Sequence, residues 1–433
     1  MFDSNHIFIN EQNHLSIGGC DALDLVKQYG TPLYVLDEST VRENCRMYVD
    51  ALKKYYDGRG YISYASKAFC TTAICKIVME EGMGLDVVSG GELYTAFKAG
   101  FPMERVCMHG NNKTKDEINM ALDLNVGRFI VDNEAELALL SRLAKEKGKT
   151  ASILLRITPG IDAHTHDFIK TGQIDSKFGA AIETGDALKL VKKAVAAENI
   201  AYLGVHSHIG SQIFDVEPFC EAASVMMKFI KDIKDECGAV TKELDLGGGF
   251  GITYTENDDP LPYENYLEAV SKVLHKEADA LGVALPYIIM EPGRSIVGAA
   301  GVTLYTVGGI KEIPGYRTYV SIDGGMADNP RYILYQAEYS FLIANRAGDE
   351  KDTVVTVAGK CCESGDLLGE HVALQKANVG DTLAVLSTGA YNYSMASNYN
   401  RLPRPAVVMT KNGTSRVIVK RETYEDIIKN DLF

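Results

Sequence analysis

Residues 128–158 read RFIVDNEAELALLSRLAKEKGKTASILLRIT, and this stretch decides the fold. The β-branched and aromatic runs Arg128-Asp132 and Ser152-Thr158 predict two strands. Asn133-Gly148, between them, predicts a helix, because its leucine and alanine residues recur at spacings of three and four. Strand, helix and strand in succession are the repeating unit of an α/β fold.

The same alternation extends along the chain in both directions. The candidate strands, together with the helical segments between them, span about 240 residues. A typical (β/α)8 barrel has roughly 250 residues. The candidate strands are Tyr61-Ser66, Leu85-Ser89, Arg105-His109, Arg128-Asp132, Ser152-Thr158, Tyr202-His208, Glu243-Leu246 and Tyr287-Glu291. Eight units in series favour a closed TIM barrel over the alternative, a doubly wound open sheet.

A second, mainly β domain follows the barrel. After Gly301 the helical periodicity fades, and strand-like runs are Val302-Val307, Thr318-Ile322, Thr353-Val357, Thr382-Leu386 and Pro405-Thr410. The first 40 residues add Ile7-Ile9 and Leu33-Leu36. We therefore expect residues 1–40 to join a sandwich-like or barrel-like β domain of residues 301–433, and residues 41–300 to form the barrel.

The composition narrows the class of protein. The chain has 433 residues, 44 basic and 58 acidic, for a net charge of −14. Such a charge disfavours binding to nucleic acid or to anionic membranes. The first ten residues lack a secretory pattern, and the apolar runs are too short to cross a bilayer. Nine scattered cysteines without CxxC pairs indicate free thiols. We expect a cytoplasmic protein.

Polar segments close three predicted barrel strands, at the edge where such barrels carry their functional groups. Lys67 follows the first strand among small and apolar residues, where partial desolvation would favour a Schiff-base amine, although position alone favours an ordinary surface lysine in a loop. Gly247-Gly-Gly249 follows the seventh and predicts either an anion site or a tight turn. Glu291 and Arg294 follow the eighth and could bind a pyridine nitrogen and a phosphate or carboxylate, or simply each other.

Two histidines share one face of the sixth strand. Alternation puts His206 and His208 on the same side, which suits a metal site, an imidazole packed on an aromatic cofactor, or plain core residues. His164 and His166, in the loop after the fifth strand, add to the case for a metal.

The β domain adds further candidates. Cys362, beside Glu363, could act as a general acid, although a cysteine is more often a small buried apolar residue. Arg331 and Tyr335 follow the turn Asp323-Gly-Gly325, and Arg331 could clamp a carboxylate. Tyr391 follows two small residues at a predicted strand end.

Together these motifs resemble the alanine-racemase-like (fold type III) pyridoxal-phosphate decarboxylases, and within them the branch that acts on diaminopimelate. The resemblance covers nearly the whole chain. It is carried by Tyr64-Ala-Ser-Lys67, Asp86-Val-Val-Ser-Gly-Gly-Glu92, Arg156-Ile-Thr-Pro-Gly160, His164-Thr-His166, Asp175-Ser-Lys-Phe-Gly179, His206-Ser-His208-Ile-Gly-Ser-Gln212, Gly247-Gly-Gly249, Glu291-Pro-Gly-Arg294-Ser295, Asp323-Gly-Gly-Met326, Cys362-Glu-Ser-Gly-Asp366 and Gly389-Ala-Tyr391.

The resemblance implies a set of contacts to pyridoxal 5'-phosphate. Lys67 would form a Schiff base with it, Glu291 would face its pyridine nitrogen, and His208 would pack against its ring. Its phosphate would be held by Gly248, Gly249, Ser211, Arg294 and Tyr391.

The resemblance also implies the substrate contacts and the reaction. Arg294, Arg331 and Tyr335, with Tyr391, would hold the distal carboxylate, and Glu363 the distal ammonium. Cys362, or else Lys67, would return a proton after CO2 leaves. The expected reaction converts meso-2,6-diaminopimelate to L-lysine and CO2, the last step of lysine biosynthesis. Relatives are homodimers in which the Cys-Glu segment enters the partner's site.

One stretch departs from the family pattern, and three rival functions stay open. Tyr332 stands where relatives usually carry a second proline after Arg331, which affects loop shape more than substrate. The first rival is a decarboxylase of ornithine, arginine, carboxynorspermidine or a related amine precursor. The second is a zinc-dependent barrel hydrolase that uses His206 and His208. The third is a non-catalytic pyridoxal-phosphate-binding protein, which the extra β domain disfavours.

Overall fold

Eight parallel strands close into a barrel in the computed structural model, which describes residues 4–161 and 176–432. We number them barrel strands one to eight in chain order. Each pairs with the next, and the eighth pairs with the first, with Ile288 opposite Gly60. The predicted TIM barrel is confirmed. The strands are Gly60–Ala65, Gly84–Val87, Val106–Met108, Arg128–Val131, Ala151–Thr158, Ile200–His206, Glu243–Asp245 and Tyr287–Met290; Ala180–Ala181 pairs beside the fifth.

Helices alternate with these strands, and their ends follow the local sequence. The predicted helix of residues 133–148 runs from Glu134 to Glu146, because the Asn133 side chain accepts the Glu136 backbone N–H and ends the extended segment. The helices are Ala22–Tyr29, Glu38–Tyr55, Thr72–Glu80, Gly90–Lys98, Lys115–Asp123, Glu134–Glu146, Asp186–Ala196, Glu217–Cys237, Tyr263–Leu281, Arg294–Val297, Arg331–Tyr335 and Tyr424–Ile428. Short 3-10 turns are Ser66–Ala68, Met103–Arg105, Ala344–Arg346, Tyr393–Met395 and Tyr399–Arg401.

An apolar cluster of the barrel lies two residues before a set of polar side chains. Cys107, Ile130, Leu154 and Ile289 form this cluster of buried residues. Side chains two positions apart on a strand point to the same face. The strand geometry therefore places polar groups one step closer to the C-terminal edge, in the pairs Cys107/His109, Ile130/Asp132, Leu154/Arg156 and Ile289/Glu291.

The second compact unit is mainly β. The described residues divide into a barrel unit, Cys45–Gly251 with Pro260–Gly293, and a β unit, Met1–Asn44 with Ile252–Asp259 and Arg294–Phe433. The main sheet of the β unit has the strand order Leu367–Leu374, Thr353–Ala358, Arg317–Ile322, Gly301–Ile313, Leu33–Asp37, Ala406–Lys411 and Thr414–Val419. Phe341–Ile343 and Thr382–Val385 extend it from Gly301–Ile313, and Ile7–Ile9, Leu15–Ile17 and Cys20–Asp21 form a small separate sheet.

One interior strand of that main sheet comes from the N-terminal segment of the chain. Leu33–Asp37 is antiparallel to Gly301–Ile313 and parallel to Ala406–Lys411. All five of its residues are buried. Its apolar side chains join a core with Val302, Leu304 and Val408. No helix of the described residues is long and apolar enough to cross a membrane.

Candidate active site

Buried polar side chains gather at the C-terminal edge of the barrel. Glu291 follows strand eight, and its Oε1 lies 2.8 Å from His109 Nε2. Its Oε2 lies 3.2 Å from the Nε2 of His206, at the end of strand six. Asp86, on strand two, accepts a 2.6 Å hydrogen bond from Ser63 and lies 3.7 Å from His109. Four strands therefore bring two carboxylates and two imidazoles together.

The electrostatics of this cluster fix the charge of Glu291. Burial acts to raise the pKa of Glu291, but the adjacent His109 and His206 outweigh it and hold the pKa well below its usual range. Burial acts to lower the pKa of His109, yet Glu291 and Asp86 raise it to about 9. Burial lowers the pKa of His206 to about 4. Near pH 7 the cluster thus holds a carboxylate beside one charged and one neutral imidazole.

The pKa values of two neighbouring carboxyl groups shift upward, in the opposite direction to that of Glu291. Burial and then the charge of Glu291 raise the pKa of Asp86 to about 6 and raise that of Asp245 well above its ordinary value. Asp245 also accepts the Gly247 backbone N–H at 2.9 Å. Glu291 is therefore the most firmly ionised carboxylate of this cluster, whereas Asp86 gains its proton only as the pH falls through about 6.

The glycine run after strand seven is required by close packing. A Cβ on Gly248 would lie 2.1 Å from the Glu291 carbonyl oxygen, and one on Gly249 would lie 2.6 Å from that of Gly210. Gly247 and Gly249 have φ values of +68° and +117°, which side chains disfavour. The Gly248 N–H donates to His208 Nδ1 at 3.3 Å. The loop is therefore more than a simple turn, since it also orients His208.

His208 and Lys67 are further candidate residues of the barrel unit. Burial, followed by the charges of Lys67 and Arg156, lowers the pKa of His208 well below its usual value, so its ring is neutral. Lys67 lies on the turn Ser66–Ala68 directly after strand one. It is exposed between buried neighbours, so the expected partial desolvation of Lys67 is wrong for this chain. Ser211 lies half-buried in the loop after strand six.

These residues suit pyridoxal phosphate by the chemistry of their donors. A primary amine suits its aldehyde, an ionised buried carboxylate suits a pyridinium nitrogen, and a neutral imidazole suits an aromatic ring. Glu291 is buried and faces the charged His109 at 2.8 Å, so the carboxylate that would meet the pyridine nitrogen is held ionised by this chain's own residues.

The β unit contains a polar cluster around two arginines. Arg294 begins the short helix Arg294–Val297, and its guanidinium carbon lies 4.8 Å from the centre of the Tyr391 ring. Arg331 begins the helix Arg331–Tyr335 and donates to the Tyr339 hydroxyl at 2.7 Å. Both arginines are buried, whereas Tyr335 is half-buried.

The predicted Cys-Glu segment lies on an exposed turn of the β unit. Cys362 and Glu363 are both exposed, so Cys362 is not the buried apolar residue that cysteine usually is. Asn400 accepts the Cys362 backbone N–H at 2.7 Å. Asp366 accepts the backbone N–H groups of Met326 and Cys361, both at 2.6 Å, and so ties two loops together.

The residues that could hold a metal ion differ from the predicted pair, His206 and His208. His109, His206 and Glu291 offer ligand atoms within 4.8 Å of one another, and His208 is not among them. The ion pair between Glu291 and His109 already accounts for these groups. His164 and His166 lie outside the described residues.

Sequence analysis gave no role to His109, Asp86 or Asp245, although Asp86 opens one of the quoted motifs. His109 had a usable signal, because it follows the buried Cys107 by two positions at the end of a strand. The ion pair of His109 with Glu291 had none, since about 180 residues separate them and only barrel closure brings strands three and eight to one centre.

The sequence of this chain is similar to a known protein family and to individual enzymes over most of its length. The family described as "Pyridoxal-dependent decarboxylase, pyridoxal binding domain" matches residues 38–298. A diaminopimelate decarboxylase of Bacillus subtilis is 52% identical over 98% of this chain and 96% of that protein. One from Staphylococcus aureus is 47% identical over 98% of each.

Solved structures of similar proteins have the same fold as this chain. The crystal structure of diaminopimelate decarboxylase from M. jannaschii in complex with L-lysine has a TM-score of 0.93 and 38% identity, and covers 100% of this chain and 99% of that one. A lysine/ornithine decarboxylase of Vibrio vulnificus, at 23% identity and a TM-score of 0.76, shares the fold. With near-complete coverage at such identity, the chain belongs to the diaminopimelate decarboxylase family of pyridoxal-dependent decarboxylases.

Proposed function

We propose that this chain converts meso-2,6-diaminopimelate to L-lysine and CO2 with pyridoxal 5'-phosphate, the last step of lysine biosynthesis. The observation that carries the choice of substrate is the pair of buried arginines, Arg294 and Arg331, in one cluster of the β unit. Guanidinium groups bind carboxylates through paired, charge-assisted hydrogen bonds, so two neighbouring buried arginines suit a carboxylate ligand. Diaminopimelate has a second carboxylate to offer, whereas ornithine and arginine have only the one that is lost.

The barrel residues would hold the cofactor. Lys67 would bind its aldehyde carbon through Nζ, and the neutral ring of His208 would pack on the aromatic plane. The chemistry that the bound cofactor supplies is an electron sink for the broken carbon–carbon bond. Glu291, kept ionised by His109, would hold a proton on the pyridine nitrogen and so deepen that sink.

The phosphate would be shared between backbone and side chains. Gly248 and Gly249 present backbone to the site because no side chain fits there. Ser211 and the Tyr391 hydroxyl would add hydrogen bonds, and Arg294 positive charge.

The β-unit residues would bind the distal carboxylate and ammonium of the substrate and supply the final proton. Arg294, Arg331 and Tyr335, with Tyr391, would bind the distal carboxylate, and Glu363 the distal ammonium. Cys362 Sγ would deliver a proton to the α-carbon after CO2 leaves. Its exposure supports access to that atom.

We also propose a cytoplasmic homodimer in which Cys362 and Glu363 serve the site of the partner subunit. All nine cysteines are free, as expected of a reducing compartment. The exposed Cys-Glu turn leaves both side chains available to a second copy of the chain.

The test is an assay of the purified, cofactor-loaded protein on separate amino acids. We expect equal amounts of L-lysine and CO2 from meso-diaminopimelate, and turnover at least a hundredfold lower with L-ornithine or L-arginine. Faster release of CO2 from either of these would replace the proposed substrate. Activity that survives removal of the cofactor but not of metal would favour the barrel hydrolase.

A further inference from the structure

Tyr254 connects the two arginines of the β unit. Its hydroxyl accepts a 2.5 Å hydrogen bond from Arg294 Nη1. The guanidinium carbons of Arg294 and Arg331 lie 5.6 and 5.0 Å from the centre of its ring. Tyr254 and both arginines are nearly excluded from solvent, with exposures of 7%, 7% and 8%. One buried phenol thus contacts both groups that would bind the substrate's distal carboxylate.

Surrounding residues hold this arrangement in place. The Tyr339 ring stands at 87° to the Tyr254 ring with centroids 5.2 Å apart, and its hydroxyl accepts from Arg331 at 2.7 Å. Asn392 donates to the same hydroxyl at 3.3 Å. Ser340 donates to the Tyr254 carbonyl oxygen at 2.9 Å, which fixes the backbone from which the ring extends. Tyr254 is therefore anchored through both its main chain and its ring.

Charge explains why a phenol suits this position. Two buried guanidinium groups repel each other and need electron-rich neighbours when no carboxylate is bound. A tyrosine oxygen accepts a hydrogen bond, and its ring face attracts cations. Burial acts to raise the pKa of Tyr254, but Arg294 and Arg331 outweigh it and leave the pKa below its ordinary value. The arginines thus draw negative character onto the phenol oxygen.

We propose that Tyr254 is the positioning residue that holds Arg294 and Arg331 as one preorganised receptor for the distal carboxylate, and so sets the preference for substrates that carry this group. The inference rests on the proposed function, which gives the arginines their ligand. Tyr254 acts through the arginines and takes no part in breaking the carbon–carbon bond. Its loss should therefore weaken binding and leave turnover nearly unchanged.

The experiment compares two ligands that differ in the group at issue. L-lysine, the proposed product, keeps the distal carboxylate and ammonium, whereas 1,5-diaminopentane has no carboxylate. We would measure Kd for both by calorimetry on the cofactor-loaded dimer, for the wild type, for Tyr254→Phe and for Tyr56→Phe. Tyr56 is the matched control, because its buried hydroxyl donates to the Leu267 carbonyl oxygen within the barrel unit.

We expect Tyr254→Phe to bind L-lysine about tenfold more weakly, the usual scale for a lost hydrogen bond to a charged group. The Kd for 1,5-diaminopentane should stay within about twofold of wild type, as should both ligands with Tyr56→Phe. Any loss of cofactor affinity in Tyr254→Phe, through the phosphate contact of Arg294, should be smaller than the loss for L-lysine. KM for meso-diaminopimelate should rise about tenfold with kcat within about threefold.

Several outcomes would overturn the inference. Unchanged L-lysine affinity in Tyr254→Phe would do so, as would an equal loss for both ligands or a loss confined to the cofactor. If Tyr254→Phe does not fold, Tyr339→Phe decides, and it must weaken L-lysine at least threefold relative to the diamine. A wild type that does not prefer L-lysine over the diamine would instead reject the proposed substrate, which separates the two failures.

Discussion

The ionisation of Glu291 depends on one neighbour in particular. His109 lies 2.8 Å from its carboxylate, and Asp86 in turn lies 3.7 Å from His109. A charged imidazole between two carboxyl groups keeps one of them anionic in a site where burial alone would protonate it. The ionised Glu291 could then stabilise a proton on the pyridine nitrogen of the bound cofactor.

This arrangement predicts the effect of removing the charge of Glu291. Glu291→Gln should still bind pyridoxal phosphate but lose decarboxylation by about a hundredfold or more, because a neutral amide does not stabilise a pyridinium. The measurements are kcat and the cofactor Kd of the same preparation. Turnover near that of the wild type would remove Glu291 from the role of pyridine partner.

Lys67 gives a second prediction at the scale of a single residue. The purified protein should be yellow, and borohydride should fix the cofactor on Lys67 as a stable secondary amine. Lys67 lies on the turn after strand one and is exposed to incoming groups. Peptide mapping identifies the modified lysine. A modification found on another lysine, or on none, would contradict the assignment.

At the scale of elements, Asp366 joins the loop that carries Cys362 to the Asp323-Gly-Gly-Met326 turn. Its two oxygens accept the N–H groups of Met326 and Cys361. Asp366→Asn keeps one acceptor and turns the other towards an N–H donor. We expect a free-energy loss of about 2 kcal/mol, from a broken hydrogen bond to a charged group.

Thermal unfolding and kcat check this prediction together. The melting temperature should fall by about 2–4 °C, as expected for such a loss in a large chain. Turnover should fall too, because Cys362 loses its fixed loop. Asp426→Asn, at the cap of the exposed helix Tyr424–Ile428, is the control and should change kcat little. A stable Asp366→Asn enzyme with full kcat would show that this link is dispensable.

Helices and strands were predictable from the sequence where hydrophobic spacing and capping residues determine them locally. Hydrophobic alternation located all eight barrel strands to within a few residues, and Asn133 marked the start of a helix that the structure begins at Glu134. The strands that the sequence did not predict are Leu15–Ile17, Cys20–Asp21, Ala180–Ala181, Phe341–Ile343, Leu367–Leu374 and Thr414–Val419. Leu367–Leu374 contains Gly369 and charged side chains, so its sequence alone predicts no strand, and pairing with Thr353–Ala358 imposes the extended form.

The site was predictable only in part, for a related reason. Glycine runs and a lysine after a strand are local signals, so Lys67 and Gly248 were candidates from sequence. The charge state of Glu291 depends on His109, and the link between Arg294 and Arg331 depends on Tyr254. These are contacts between distant segments, and no spacing rule in one sequence encodes them.

At the scale of the whole molecule, the proposed shared site predicts complementation. Lys67→Ala and Cys362→Ala should each be inactive alone. Mixed after subunit exchange, they should recover about a quarter of wild-type activity, since half the dimers are mixed and each of these has one intact site of two. Absence of recovery despite demonstrated exchange would place a complete site within one chain.

The interior position of Leu33–Asp37 has a consequence for synthesis on the ribosome. This apolar strand is made early, yet its partner strands, Gly301–Ile313 and Ala406–Lys411, are made roughly 270 and 370 residues later. At translation rates of about 5–20 residues per second, it waits on the order of tens of seconds without a pairing partner. The barrel can fold during that delay, whereas this apolar strand stays open to aggregation and to chaperone capture until its partner strands are made.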